Sequence, residues 1–202
     1  TQDVTIEEDV IEEIARYIGY GKIEAALPRV TVRQFEPNTL HEIENATLRL
    51  FTAARRFVEI HGYLWYDRSF NGRIGYQPAD CLELVNPAAD GLERMRQSMM
   101  PGLLAAVEKN RFRFSAFSLI ELGSIFRLGK GDDTEHQEHR HTGLIRAARG
   151  KNQESQLLAE LKSAIESWAY QLSGCQARFV ETEASPNAPW EEAGCVADIV
   201  VG

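Results

Sequence analysis

The sequence has few cysteines and no cluster of them. Its three cysteines, Cys81, Cys175 and Cys195, are odd in number and include no Cys-x-x-Cys pair, which excludes a disulfide framework and a zinc knuckle. We expect them to be small buried hydrophobic residues. Hydrophobic residues at 44% and charged residues at 26% are ordinary globular usage, so the chain is not disordered, collagen-like or coiled-coil.

The sequence also lacks long apolar runs and an excess of positive charge. No run approaches the roughly 20 apolar residues that a membrane span needs, and the acidic N-terminal segment is unlike a secretion signal, so we expect a cytoplasmic protein. A net charge of −8 opposes wrapping nucleic acid around the whole surface. The chain begins at Thr1 and ends in a strand-like segment, so we expect a fragment of something longer.

Familiar catalytic signatures are missing as well. There is no glycine-rich phosphate loop and no Ser-His-Asp ordering. A basic stretch has the composition of a phosphate site, but we expect its charges to form ion pairs within the fold or across an interface. The stretch comprises Arg94, Arg96, Lys109, Arg111 and Arg113.

The histidines are concentrated between His136 and His141. Imidazoles at this spacing are able to bind a transition metal. A polar, glycine-broken segment precedes them, and a metal site also needs a rigid second shell of hydrogen bonds. We therefore favour a solvated loop over a metal site.

Hydrophobic spacing and capping residues predict four helices. The first has Thr5 and Glu8 as a capping box and stops at Gly19. The second begins at Asn38 and Thr39, with Glu42 in a further box, and runs to Gly62. Ser98 caps the third, and the fourth stops at Gly174. The predicted helices span residues 7–18, 39–61, 101–110 and about 157–172.

Aromatic and β-branched runs predict six strands, and residues 20–37 read as a connector with a boundary near Pro28. Most strands follow one another directly, so we expect an α+β fold with an antiparallel sheet. The predicted strands span residues 63–66, 81–85, 117–126, 142–148, 177–182 and 196–201.

The second helix has an unusually wide apolar surface. Ile43, Leu50 and Phe57 fall on one line, with a ridge of alanines beside it. The pattern fits a well-buried core helix and equally fits a helix that packs partly against another subunit.

Four carboxylates gather at the start of the chain. Asp9, Glu12 and Glu13 share one helical face, and Asp3 can reach it from the preceding extended segment. Oxygen ligands without His or Cys suit a hard divalent cation, Mg²⁺ before Zn²⁺. The alternative is an acid-rich first turn that complements the helix dipole, which explains Glu12 and Glu13, a turn further in, less well.

Three segments in order carry a family resemblance. They are Asp3–Tyr20, then Asn86-Pro87 with Met95–Leu104, then Ile120–Phe126. They resemble, respectively, the family patterns D-x5-D-[LV]-x-E-E-x-A-R-x-x-G-Y, N-P…[LM]-R-x-S-L-L-P-G-L-L and F-E-I-G-x-[VI]-F. The chain thus resembles the central portion of the β subunit of bacterial phenylalanyl-tRNA synthetase.

The resemblance implies a fold and a role. Residues 31–202 are expected to form a class II synthetase-like but non-catalytic core, with an antiparallel sheet flanked by helices. Residues 1–30 are expected to hold the C-terminal helix of a small winged-helix-like module plus a connector. In the family the α subunit uses ATP to charge tRNA with phenylalanine within an α2β2 assembly, and tRNA is bound by parts of β outside these residues.

The resemblance also implies a Mg²⁺ ion shared with the α subunit at the positions that match Asp3, Asp9, Glu12 and Glu13. Two departures keep a divergent lineage or a paralogue open as alternatives. Residues 21–24 replace the family's Asp-Asn-Ile-Pro, and residues 187–194 lack its His-Pro-Gly turn. The alternatives are a stand-alone interaction or regulatory paralogue, and an independent metal enzyme using Asp9, Glu12 and Glu13.

Overall fold

The computed structural model describes residues 4–31, 36–129, 137–150, 153–181, 188–191 and 197–201. The chain divides into two compact units, Thr1–Pro37 and Asn38–Gly202, and each is described by itself. The boundary expected at residues 30 and 31, and the winged-helix-like identity of the first segment, stay predictions.

The first unit contains helix α1, Glu7–Ile18, with the predicted bounds. Its capping carboxylate is Asp9 rather than the expected Glu8: Asp9 Oδ2 accepts from the backbone N–H groups of Thr5 at 2.8 Å and Ile6 at 3.1 Å. Gly19, at φ +90°, ends the helix, because glycine adopts this region without a steric penalty. A short 3-10 turn, Tyr20–Lys22, follows.

The second unit contains four helices and five strands among its described residues. The helices are α2 (Thr39–Arg49), α3 (Arg68–Arg73), α4 (Met100–Asn110) and α5 (Glu154–Ser173). The strands are β1 (Val58–Glu59), β2 (Ala116–Arg127), β3 (Gln137–Ala148), β4 (Ala177–Glu181) and β5 (Ala197–Val201).

The main sheet has the order β1-β2-β3. Strands β2 and β3 pair antiparallel over their whole length, from Ala116 opposite Ala148 to Arg127 opposite Gln137. The expectation of a purely antiparallel sheet is wrong at one edge, where β1 pairs parallel to β2. Strands β4 and β5 form a separate antiparallel pair. The fold is α+β with a mixed sheet.

Alternate residues of β2 supply two hydrophobic clusters on opposite faces of the sheet. On one face Ile120 packs with α2 and α5 residues, and on the other Leu119 and Ile125 pack with α4. The sheet is therefore the middle layer between α4 and the α2–α5 pair. The buried members are Phe51, Phe57, Ile120 and Ala164 on the first face, and Met99, Leu103, Leu119 and Ile125 on the second.

Helix α2 is shorter than predicted. It continues as a π-helical turn, Leu50–Ala54, and the chain then reverses through Arg56, at φ 57°. The reversal brings the Phe57 ring edge-on to that of Phe51, with centroids 5.2 Å apart. Packing of these two buried rings, which the helical spacing does not reveal, ends the helix before Gly62.

Two predicted strands form only isolated bridges. Trp65 bridges Met95, and Glu83 bridges Arg94. Both predicted strands therefore pair with the same short segment before α4, which is too brief to support a regular ladder.

Other elements match more closely. Strand β2 and helices α4 and α5 lie where the pattern puts them, and Gly174 ends α5 in the left-handed conformation at φ 72°. Strand β3 starts five residues before the predicted Thr142. His139 and His141 consequently lie in a strand, not a loop, because they pair with β2; His136 is outside the described residues.

Two further observations concern expected features. Cys81 and Cys175 are only half-buried, so the expectation of buried cysteines is wrong for them, and Cys195 is outside the described residues. In the part of the chain that the structure describes, no helix is long and apolar enough to span a membrane.

Substitution of Leu103 tests the packing of α4 on the sheet. Its side chain is 0% exposed, so Leu103→Ala should lower the free energy of unfolding by about 2–5 kcal/mol through lost transfer energy and a cavity. Leu158→Ala, at a position 53% exposed on α5, is the control and should change it by less than about 1 kcal/mol. Urea denaturation followed by tryptophan fluorescence measures both. Equal effects would contradict the described packing.

Candidate functional site

Three of the four predicted metal ligands lie within the described residues. Asp3 lies outside the described residues, while Asp9, Glu12 and Glu13 lie on one face of α1. Among the described residues, no group of three or more His, Cys, Asp or Glu side chains is arranged to hold a metal ion. The described residues of the first unit thus present carboxylates without a closed ligand shell.

Asp9 already has a structural role as the cap of α1. The backbone N–H groups of Thr5 and Ile6 hold the pKa of its carboxyl below its usual value, because hydrogen bonds to the ionised form favour it. A lowered pKa means that the capping stabilisation is complete above the usual carboxyl range and is lost as the pH falls through the lowered pKa.

Glu12 and Glu13 both pair with Arg16, at 3.5 Å and 3.0 Å. All three side chains are more than half exposed. Exposed pairs of this kind contribute about 0–1 kcal/mol, so Arg16 holds the two carboxylates only weakly. Their oxygen donors match the chemistry of a hard cation.

The basic stretch divides into two groups in space. Arg94 pairs with Glu83 at 3.1 Å, and Arg96 pairs with Glu121 at 2.5 Å, which confirms the expected ion pairs within the fold. The other three cations, Lys109, Arg111 and Arg113, are exposed at the end of α4.

The Arg96–Glu121 pair is buried, with side chains 5% and 2% exposed. Arg96 Nη1 donates to Glu121 Oε1, and Arg96 Nε donates to the Ser124 carbonyl at 2.8 Å. Gly62 N also donates to Glu121 Oε1, at 3.2 Å. The pair therefore joins the segment before α4, the chain after β1 and the middle of β2.

Two glycines make room for this pair. A Cβ on Gly62 would lie 3.0 Å from Glu121 Oε1, and one on Gly123 would collide with Arg96 Nη2. The guanidinium thus rests directly against the backbone of β2, where any larger residue would displace it.

Tyr66 positions Gln97 and Ser98, which follow Arg96 in the segment before α4. Its hydroxyl accepts from the backbone N–H groups of Gln97 at 2.8 Å and Ser98 at 2.9 Å, and contacts the Tyr76 hydroxyl at 3.2 Å. Burial raises the pKa of the Tyr66 hydroxyl, so it stays neutral at physiological pH. Ser98 Oγ in turn accepts from Met100 N, at the start of α4.

The sequence predicts an ion pair for Arg96 but does not identify its partner Glu121, which interrupts an apolar strand. The available signal was the charge itself: a lone carboxylate within a long apolar strand is nearly always paired when buried. Arg96 is the partner, and both residues belong to segments that carry the family resemblance.

Both faces of the β2–β3 pair are filled by the unit's own side chains. On the α4 face, a Cβ on Gly143 would lie 2.8 Å from Leu103 Cδ1. On the other face, Trp168 Nε1 donates to Thr47 Oγ1 at 2.9 Å, so that α5 and α2 are tied together above the strands. The centre of this sheet is a packed core rather than a cleft.

The N-terminal half of α2 presents apolar side chains to the surface. Leu40 is 48% and Ile43 43% exposed, and they line a groove of about 350 Å³ beside β3. Arg140 of β3 pairs with Glu44 of α2 at 2.5 Å at the same place. An apolar strip next to an organised ion pair is typical of a protein-interaction surface.

Comparison with known proteins identifies related sequences. Residues 23–202 match the family described as phenylalanyl tRNA synthetase beta chain CLM domain. The phenylalanine–tRNA ligase β subunit of Xanthomonas campestris pv. campestris is 34% identical over 133 residues, 64% of this chain and 16% of that protein. The corresponding subunit of Nitrosospira multiformis is 32% identical over 144 residues, 70% of this chain and 18% of that protein.

The chain therefore spans less than a fifth of the length of these relatives. Among solved structures, the pyrrolysyl-tRNA synthetase of Desulfitobacterium hafniense matches 72% of this chain and 51% of that chain, with a TM-score of 0.55 and 14% identity. A second structure of that enzyme gives a TM-score of 0.52 at 15% identity, over 71% of this chain and 49% of that chain. The likeness places the fold with class II tRNA synthetases.

Arg96→Met should lower the free energy of unfolding by about 3–5 kcal/mol, because it leaves Glu121 buried without its partner. In Arg96→Met/Glu121→Met the loss should be smaller than the sum of the single losses by at least about 1 kcal/mol. Arg94→Met removes a matched but exposed pair and should cost at most about 1 kcal/mol. Urea denaturation of Arg96→Met, Glu121→Met, the double variant and Arg94→Met measures the coupling. Additive losses would contradict a mutually dependent pair.

Proposed function

Because the chain belongs to the phenylalanyl-tRNA synthetase β-chain family, we propose that it is the non-catalytic core of the β subunit of phenylalanine–tRNA ligase. In this role it scaffolds a catalytic α subunit, which uses ATP to charge tRNA with phenylalanine. The assembly is α2β2, and the protein acts in the cytoplasm.

The filled sheet carries the proposal of a scaffold. Leu103 and the Arg96 guanidinium lie against one face of the β2–β3 pair, and Trp168 with Thr47 covers the other. A substrate that reached these strands would have to displace buried side chains, including a charged one. The described core is thus suited to hold its shape for a partner.

The exposed half of α2 is the proposed contact for the α subunit. Leu40 and Ile43 offer apolar area, and the Glu44–Arg140 pair offers charges at its margin. Interfaces of stable assemblies combine an apolar centre with a polar rim. The wide apolar surface of this helix therefore serves both uses considered from the sequence, since its later residues enter the core.

We also propose that Asp3, Asp9, Glu12 and Glu13 hold a Mg²⁺ ion together with the α subunit. The matched family segment begins at Ile23 and does not include these four residues. Their assignment as ligands therefore rests on the sequence resemblance and on their oxygen-only chemistry. When bound, the ion would supply positive charge that offsets the crowded carboxylates of α1. The residues of α1 bind and orient it, and Asp9 keeps the helix end in place.

The partner surface predicts the effect of substitutions in α2. Leu40→Asp/Ile43→Asp should weaken the complex with the α subunit of the same organism at least tenfold in Kd, because both charges would be desolvated against an apolar partner. Val85→Asp/Leu158→Asp, at positions 101% and 53% exposed, is the matched control and should change Kd by less than about threefold. Sedimentation or light scattering of the full-length subunits gives the Kd.

The wild-type result tests the proposed function itself. A complex of both subunits at micromolar concentration is expected. Absence of any complex would refute the scaffold role and leave a stand-alone protein.

The metal proposal predicts a loss of bound Mg²⁺. Glu12→Gln/Glu13→Gln in the assembled ligase should reduce the tightly bound Mg²⁺ and the rise in melting temperature that added Mg²⁺ produces, since neutral amides are poorer ligands for a hard cation. Glu7→Gln/Glu8→Gln removes the same charge from the preceding turn and is the control. Metal analysis and thermal melts provide readouts that do not depend on activity. Unchanged metal content would refute the assignment.

A further inference from the structure

A cationic surface at the end of α4 has no use in the function described so far. Lys109, Arg111 and Arg113 are exposed there, and Arg149, directly after β3, is exposed beside them. The neighbouring carboxylate of Glu108 is already bound by both terminal nitrogens of Arg73, at 2.9 Å and 2.8 Å. The ion pairs found in the described part of the chain use other cations than these four.

Two of the arginines, Arg111 and Arg149, lie at one exposed aromatic ring. The Cζ atoms of Arg111 and Arg149 lie 4.7 Å and 5.6 Å from the ring centroid of Phe112, which is 70% exposed. The negative end of the α4 dipole accounts for cations at Lys109 and Arg111. It does not account for Arg149, which comes from another element. Cation–π contacts thus hold the guanidinium groups of Arg111 and Arg149 at one ring. An anion at this position would contact both positive charges.

An apolar groove lies between these arginines. Its volume is about 490 Å³, within the range of roughly 300–1,000 Å³ typical of small-ligand sites. Val107, Phe117 and Ala147 line it, with the half-exposed ring of Phe114 at its margin. A flat apolar group therefore fits between positive charges at this position.

Phosphates on arginines and a base against aromatic or apolar side chains are the way in which proteins bind unpaired nucleotides. We propose that this surface binds unpaired nucleotides of tRNA, with a base in the groove and phosphates on Arg111, Arg113 and Arg149. The inference rests on the proposed function, which supplies tRNA as the polyanion. It adds a contact inside this core to those expected elsewhere in the full-length subunit.

The arginines are tested in the assembled ligase with its full-length β subunit. In Arg111→Gln/Arg113→Gln/Arg149→Gln, the Kd for tRNA should rise about tenfold or more at about 50 mM salt. The slope of log Kd against log salt concentration should also fall by about 2, since each phosphate that is no longer neutralised lowers this slope by about 0.7. Lys22→Gln/Arg29→Gln/Arg178→Gln removes three exposed charges elsewhere and is the control. A slope that matches the wild type, or that falls equally in the control, overturns the proposal.

The groove is tested without a change in charge. Ala147→Leu fills the space between the arginines, so it should raise the Kd for tRNA severalfold while leaving the salt slope unchanged. Phe112→Ala leaves the arginine charges in place but removes the ring that gathers them, and should raise the Kd as well. Wild-type affinity in both variants would overturn the placement of a base in this groove.

Exchange of pyrophosphate into ATP separates this proposal from the proposed function. In the proposed reaction ATP first reacts with phenylalanine to give an adenylate and pyrophosphate, and tRNA is not a reactant in this step. Exchange by the arginine variant should therefore equal that of the wild type. A wild-type assembly without exchange activity would refute the proposed function. Normal exchange with unchanged tRNA binding would refute the nucleotide surface alone, and weakened subunit assembly in the arginine variant would overturn it in favour of a protein interface.

Discussion

Burying an arginine beside a glutamate removes two charges from water, and the desolvation is offset only when their geometry and additional hydrogen bonds are good. Arg96 and Glu121 meet this condition because Ser124 and Gly62 complete the hydrogen bonding and Gly123 allows the guanidinium to rest on β2. The chain after β1, the segment before α4 and the middle strand consequently have one mutual arrangement. A buried ion pair of this kind specifies one arrangement of the chain more than it adds stability. Removing one partner lowers the free energy of unfolding because the other charge stays buried without a partner. Replacing both partners together avoids that cost.

The pair also explains why two distant sequence segments carry the family resemblance together. Arg96 lies in Met95–Leu104 and Glu121 in Ile120–Phe126, and the two segments meet at the face of the sheet that α4 covers. Tyr66 extends the arrangement by holding the N–H groups of Gln97 and Ser98, immediately before α4 begins. Residues of both segments thus lock α4 onto β2. Their role is positional, which agrees with the proposed scaffold.

Elements governed by local signals were predictable from the sequence, whereas those governed by distant packing were not. Helix α1 and strand β2 follow from hydrophobic period and from glycine at the helix end, so their positions agree with the pattern. The end of α2 depends on the Phe51–Phe57 contact across a chain reversal, and the parallel pairing of β1 depends on β2, far along the chain. The carboxylates of α1 were recognisable by their spacing. The pairing of Arg16 with Glu12 and Glu13, and the capping role of Asp9, are seen only in the structure. The spacing of residues shows that their side chains share a helix face. It does not show which groups those side chains bind.

The net charge of −8 conceals a sorting of charges by location. Acidic side chains are concentrated on α1, and Arg94 and Arg96 form ion pairs. Arg111, after α4, and Arg149, after β3, lie at the ring of Phe112. Because screening limits exposed charges to about 8–10 Å at physiological salt, each of these groups acts on its own surroundings and not through the total. An acidic protein can therefore attract a cation at one surface and a phosphate at another. The overall charge excludes wrapping nucleic acid around the molecule, but it does not exclude a local contact with a single strand.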